Sequence, residues 1–88
     1  PNDPGVLDAV GWTFVQIGEL DKGLSNLREA LARDAGNPTI RYHLGVALQE
    51  YGNLSGARRE FEQALKLSGR FPEREDAVAR VNALQPSR

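Results

Sequence analysis

The chain has 88 residues, carries 11 Lys+Arg against 12 Asp+Glu for a formal charge of −1, and contains no cysteine. One small domain is what this length supports; disulfides and thiolate metal sites are excluded, and the scattered basic residues offer no concentrated positive face for nucleic acid. No apolar run approaches the roughly 18 residues of a membrane span, so direct membrane contact is not expected, and composition leaves the compartment open.

The first element opens at Asp3-Pro4, where an Asx cap precedes a proline whose missing N–H suits the first helical position. From Pro4 to Ile17 the residues Leu7, Val10, Gly11, Phe14 and Ile17 recur at helical spacing and are predicted to face the core. Gly18 follows, where a left-handed residue ends a helix without Cβ strain. A second amphipathic segment from about Leu20 to Ala35 presents Leu24, Leu27, Ala30 and Leu31. The pattern then repeats. Asn37-Pro38 starts a helix to Tyr51 with Ile40, Leu44, Ala47, Leu48 and Tyr51 on one side, Gly52 ends it, and a fourth segment from Leu54 to Ser68 presents Ala57, Phe61, Ala64 and Leu65. After Gly69 and Phe71, a segment from Pro72 to about Leu84 carries Ala77, Val78, Val81 and Leu84 on one side and reads as a closing helix over the last apolar face.

These elements are in step at a spacing of about 34 residues. Pro4, Pro38 and Pro72 align, as do Gly11, Gly45 and Ala79, Gly18 with Gly52, Leu20 with Leu54, and Ala30-Leu31 with Ala64-Leu65. Glycine inside a helix costs roughly 0.5–1 kcal/mol relative to alanine. Gly11 and Gly45 therefore either permit close helix approach, with small Ala30 and Ala64 at the crossings, or have no special role.

The period, together with Leu44-Gly45, Leu48 in the aromatic place and Ala57 followed by Phe61, resembles the tetratricopeptide repeat family; Val10-Gly11, Phe14, Gly23 and Leu27 match more loosely, and Arg41 replaces the usual large aromatic. The resemblance implies an all-α fold, a right-handed α-solenoid segment of two helix-turn-helix hairpins plus a C-terminal capping helix. The implied single domain spans residues 1–88, with repeat 1 at about 4–37, repeat 2 at about 38–71 and the capping helix at about 72–84. With no initiator Met and Pro1 one period before Ala35, a piece of a longer scaffold is expected. The runs Arg41-Tyr42-His43-Leu44-Gly45 and Phe71-Pro72-Glu73-Arg74-Glu75 are also similar to the last repeats of bacterial cell-envelope proteins, repeat lipoproteins linked to exopolysaccharide and protein sorting. That second resemblance implies the envelope or periplasm, with the cytoplasm as the alternative.

In such folds the first helices of successive hairpins line a concave groove. In-register positions then give three rows: Asp8, Tyr42 and Asp76; Trp12, Val46 and Arg80; Val15, Gln49 and Ala83. The expected contacts for a peptide or protein partner are Asp8, Trp12, Tyr42, Val46, Gln49, Asp76 and Arg80, with Trp12 and Tyr42 as anchors because aromatics bury much area at little entropic cost. Trp12 either plays that part or covers the end of the stack. Some relatives clamp a terminal carboxylate with Lys, Asn and Arg, but the matching places here hold Asp8, Trp12, His43, Glu73 and Ala77, so a basic or mixed apolar segment is favoured over an acidic tail. The only histidine, His43, reads as structural or solvated, and the charges around Arg28-Glu29 and Arg58-Arg59-Glu60 read as solvated helix faces. No nucleophile signature or phosphate loop is present, so neither catalysis nor a cofactor is expected. The competing expectation is a spacer of a long solenoid with no ligand of its own, self-associating as a homodimer through the Leu7/Val10/Phe14 helix.

Overall fold

The computed structural model describes residues 3–86, which form α1 (Pro4–Gln16), α2 (Leu20–Arg33), α3 (Pro38–Tyr51), α4 (Leu54–Leu67) and α5 (Arg74–Ala83). The helices start where the caps are. Asp3 Oδ1 accepts from the Gly5 N–H at 2.8 Å, Asn37 Oδ1 from Thr39 N–H at 3.0 Å, and Asn53 Oδ1 from Gly56 N–H at 3.0 Å. Each satisfies a donor that a first helical turn leaves without an intrahelical partner.

The two hairpin turns close identically, one period apart. Gly18 and Gly52 take φ of +88° and +99°, and beyond them the Glu19 N–H reaches Phe14 O at 2.8 Å and the Asn53 N–H reaches Leu48 O at 2.9 Å. This is the six-to-one bond of a Schellman closure, which reverses the chain and lays α2 on α1 and α4 on α3. The other two junctions set α2 against α3 and α4 against α5.

Packing is closest where side chains are absent. A Cβ added at Gly11 would lie 2.9 Å from Leu27 Cγ, one at Gly23 would lie 2.6 Å from Val15 Cγ2, and one at Gly45 would lie 2.6 Å from the Phe61 ring. Ala30 and Ala64 are fully buried, as are Phe61, Leu27 and Ile40. The interior glycines therefore serve close helix approach.

The register of the core differs from the single stripe expected for α1. That helix buries Leu7, Gly11 and Val15, a row with spacing four in which Gly11 and Val15 seat against Gly23, Leu24 and Leu27 of α2 and Leu7 clusters with Ala30 and Ile40. Val10 and Ile17 are exposed and Phe14 is half-buried. In α3 Ile40, Leu44, Ala47 and Leu48 are buried as expected, whereas Tyr51 is 59 % exposed at the helix end. Residues 42–48 are all buried, because α2 and α4 cover α3 on two sides and residues of α1 and α5 complete the surround. A one-stripe reading suits a helix with one neighbour and fails for one with several. Pro72 does not begin α5: residues 72 and 73 form a turn, and the helix starts at Arg74 with Ala77 buried against the core.

Gly45→Ala tests the close approach. The methyl gains about 1 kcal/mol of helix propensity but overpacks a buried ring, which costs roughly 1–3 kcal/mol, so a net loss of up to about 2 kcal/mol is expected in urea unfolding. Gly36→Ala, whose added Cβ meets nothing within 4 Å, should stay within about 0.5 kcal/mol of the parent.

Candidate protein-binding face

Helices α1, α3 and α5 present their in-register positions on one shared face, and side chains one period apart bond across it. Thr39 Oγ1 donates to Glu73 Oε1 at 3.0 Å, and Tyr42 Oη donates to Asp76 Oδ2, both across 34 residues. His43 Nδ1 lies 2.7 Å from Asp8 Oδ1 across 35 residues. An ionised carboxylate has no proton to give, so the imidazole holds its proton on Nδ1 and donates. Arg80 completes the set, donating from Nε to Asp76 at 2.7 Å and from a terminal nitrogen to Gln49 Oε1 at 2.8 Å.

Aromatic rings floor this network. Trp12 stacks on His43 with centroids 4.2 Å apart and planes 18° from parallel. Tyr42 lies tilted against both Trp12 and Phe61, with centroids 6.5 and 5.7 Å away, and the Arg80 guanidinium sits 5.9 Å from the ring centres of Tyr42 and Phe61. The carboxylate thus meets the phenol at its hydroxyl while the guanidinium meets its π-face, a geometry in which each charge faces its complement.

Electrostatics follow from these contacts. Burial, then the bond to Asp76, pushes the Tyr42 phenol from 10.0 up to about 12. The Tyr42 hydroxyl, then Arg80, holds the Asp76 carboxyl below its ordinary 3.8.

The structure brings Asp8, Trp12, Gln49, Asp76 and Arg80 together on this face as half-buried or exposed side chains. It places Tyr42 and Val46 elsewhere in depth: they are 7 % and 3 % exposed, so Tyr42 offers a partner no free ring. Both belong to α3, whose many neighbours take up positions that remain open on the outer helices. Val15, from the third row, lies in the α1–α2 core at 2 % exposure. His43 and Thr39 were missing from the expected contacts, although their partners stand one period away, within a residue, and that spacing was the available signal. Glu60, read as part of a solvated face, instead pairs with Arg41 at 2.9 Å, which explains how an arginine occupies a place usual for a large aromatic.

Among the described residues no group of three His, Asp or Glu side chains is placed to hold a metal ion, and no helix is long and apolar enough to cross a membrane. The tetratricopeptide repeat family pattern matches residues 15–85, most of the chain. The chain belongs to the tetratricopeptide repeat family. Tetratricopeptide repeat domains generally mediate protein–protein contacts and are typically non-catalytic, so this chain is an interaction module built of all-α repeats. A search of curated proteins gave no significant match.

The Tyr42–Asp76 bond makes a pH prediction. The fold binds the Tyr42 proton more tightly than the unfolded chain does, so the stability this contributes is complete below pH 10 and is lost as the pH rises toward 12. Phenolate absorbance should show one of the two tyrosines ionising at about 12, and Tyr42→Phe should remove that class and flatten the alkaline loss of stability. Two tyrosines that both titrate near 10 would contradict the buried hydrogen bond.

Proposed function

We propose that residues 4–37 and 38–71 act as two repeats closed by residues 72–84, and that the face shared by α1, α3 and α5 binds a protein segment carrying basic side chains. The observation that supports this reading is the charge of the face. Asp8, Glu73 and Asp76 bring three carboxylates to it, and its one guanidinium, Arg80, is already paired with Asp76 and Gln49. A lysine or arginine entering beside Glu73 and Asp8 meets uncompensated negative charge, whereas an acidic tail meets like charge.

Trp12 is the anchor in this reading. Its ring is held flat by the His43 stack, and His43 is held by Asp8, so the indole is oriented before a ligand arrives and little ordering remains to oppose binding. Tyr42 and Val46 contribute as floor: they fix the positions of Asp76 and Trp12 without touching the ligand themselves. Gln49 and Arg80 mark the end of the face nearest the α3 C-terminus, where their bond offers backbone amide and carbonyl groups a polar edge.

A random peptide library displayed against the chain tests the reading. Selected peptides should be enriched in Lys or Arg beside an apolar residue, Trp12→Ala should weaken them at least about tenfold, equivalent to about 1.4 kcal/mol, and Glu73→Gln should reduce the salt dependence of binding. Circular dichroism of both variants should match the parent. Selection of acidic or charge-indifferent peptides that ignore Trp12→Ala would reject the proposal.

A further inference from the structure

A depression of about 480 Å³ opens between α2 and the C-terminal end of α3, and none of the side chains that form the shared face of α1, α3 and α5 lines it. Its volume lies within the range of small-ligand sites, about 300–1,000 Å³. Leu24 and Leu48, each 6 % exposed, form the floor. Asp21, Ser25 and Arg28 follow one another along α2 at spacings of four and three, so a single helix face carries them on one wall. Tyr51 and Asn53 stand on the other, with the Tyr51 ring exposed. Asn53 Oδ1 caps α4 by accepting from the Gly56 N–H, and its amide nitrogen remains as a donor.

The repeat supplies a comparison. One period on, Leu24 and Tyr51 correspond to Arg58 and Gln85, and Arg58 donates to Gln85 at 3.2 Å, a bond that bridges the equivalent cleft. Asp21 and Arg28 correspond there to Ser55 and Glu62, so the opposed charges are missing as well. In the first cleft a leucine and a tyrosine stand where that bridge would form, and the cleft is open. Its two charges are also without ion-pair partners. Glu29 pairs with Arg33 and Asp76 with Arg80, each four residues apart, whereas Asp21 and Arg28 are seven apart and pair with nothing among the described residues. Seven residues of helix rise about 10 Å, which separates the carboxylate from the guanidinium along the cleft.

We propose that this cleft is a second binding site, separate from the shared face, for a short zwitterionic peptide of about three residues, its ammonium at Asp21 and its carboxylate at Arg28. The lengths agree, since three extended residues at roughly 3.3–3.6 Å each also span about 10 Å. Charge sets both the class of ligand and its direction. A purely anionic ligand meets its own sign at Asp21 and a purely cationic one at Arg28, whereas a zwitterion is matched at both ends. Helices α2 and α3 run antiparallel here: Leu24 and Leu48 share the depression, and Ala30 clusters with Ile40. The C-terminus of α3 therefore lies at the Asp21 end, where its partial negative charge adds to the attraction for an ammonium. At the other end the Arg28 guanidinium offers a carboxylate two parallel N–H donors. Between them Leu24, Leu48 and the Tyr51 ring receive an apolar central side chain, and Ser25 and Asn53 supply polar groups for the peptide backbone.

The test follows the amide NMR spectrum of the whole chain during titration with the free tripeptide Ala-Phe-Ala. Saturable shifts are expected at Ser25, Arg28 and Asn53, with the Trp12 indole resonance unmoved. Arg28→Gln should weaken binding about fivefold, and amidating the peptide carboxylate should cost the parent chain the same factor but cost Arg28→Gln nothing further. Asp21→Asn and acetylation of the peptide amine should behave as the matching pair. Both residues are exposed, so neither substitution should move the urea midpoint. Absence of saturation would overturn the proposal, as would equal binding of the acetylated and amidated peptide, or shifts centred on Trp12 and Asp8, which would assign the peptide to the shared face instead.

Discussion

The seating of the Phe61 ring on the bare backbone of Gly45 is the constraint from which the rest of the structure is hung. Because no Cβ separates them, α4 lies close enough to α3 for one aromatic ring to be fully buried between the helices. That ring is then the support for Tyr42, 5.7 Å away, and for the Arg80 guanidinium, 5.9 Å from its centre. Tyr42 and Arg80 in turn converge on Asp76. An interior packing contact therefore determines where charge appears on the surface three helices share, and loosening it would blur the face as well as cost stability.

The first hairpin uses a different version of the same device. One period before Phe61 stands Leu27 and one period before Ala57 stands Gly23, so α1 and α2 interlock through Leu27 on Gly11 and Val15 on Gly23 instead of through a ring. The smaller side chains leave Phe14 free to remain half-buried on the outside of α1, where Lys22 lies 5.6 Å over its ring. The aromatic mass of this hairpin is thus on its outer and shared faces rather than at its centre, with Trp12 on one and Phe14 on the other.

Much of this was legible in the sequence because it depends on local chemistry. Asp3-Pro4, Asn37-Pro38, Gly18 and Gly52 specify caps and turns through groups within a few residues of one another, and the structure forms them where the sequence places them. The orientation of α1 was not legible. Val10, Phe14 and Val15 are all apolar, and the choice of Val15 for the interior follows from the space that Gly23 provides on another helix. Tyr42 was misjudged for a related reason: a tyrosine beside charged neighbours looks like a surface residue until the number of helices around α3 is known, and its hydroxyl is satisfied by a carboxylate from the far end of the chain. Residue type tells which side chains can be buried, whereas burial itself is a property of neighbours.

The two ends of the stack are chemically unequal, and the inequality has a physical reason. Helix α5 turns Ala77, Val81 and Leu84 inward and leaves Arg74, Glu75 and Asn82 to water, so it closes the apolar face of α4 without opening another. Helix α1 does the reverse: Leu7, Gly11 and Val15 already pack on α2, yet Val6, Val10 and Ile17 repeat the apolar character on the other side. A helix that buries one side gains nothing from a second apolar side left in water, since each such residue forgoes most of the 1.5–3 kcal/mol that full burial typically contributes. In α3 the same two-sided pattern is matched by two covering helices, α2 and α4. The charges on the face that α1, α3 and α5 share and the outer apolar wall of α1 are consequently separable: the first are fixed by contacts within the chain, from Asp8 to Arg80, whereas the second consists of side chains exposed to water.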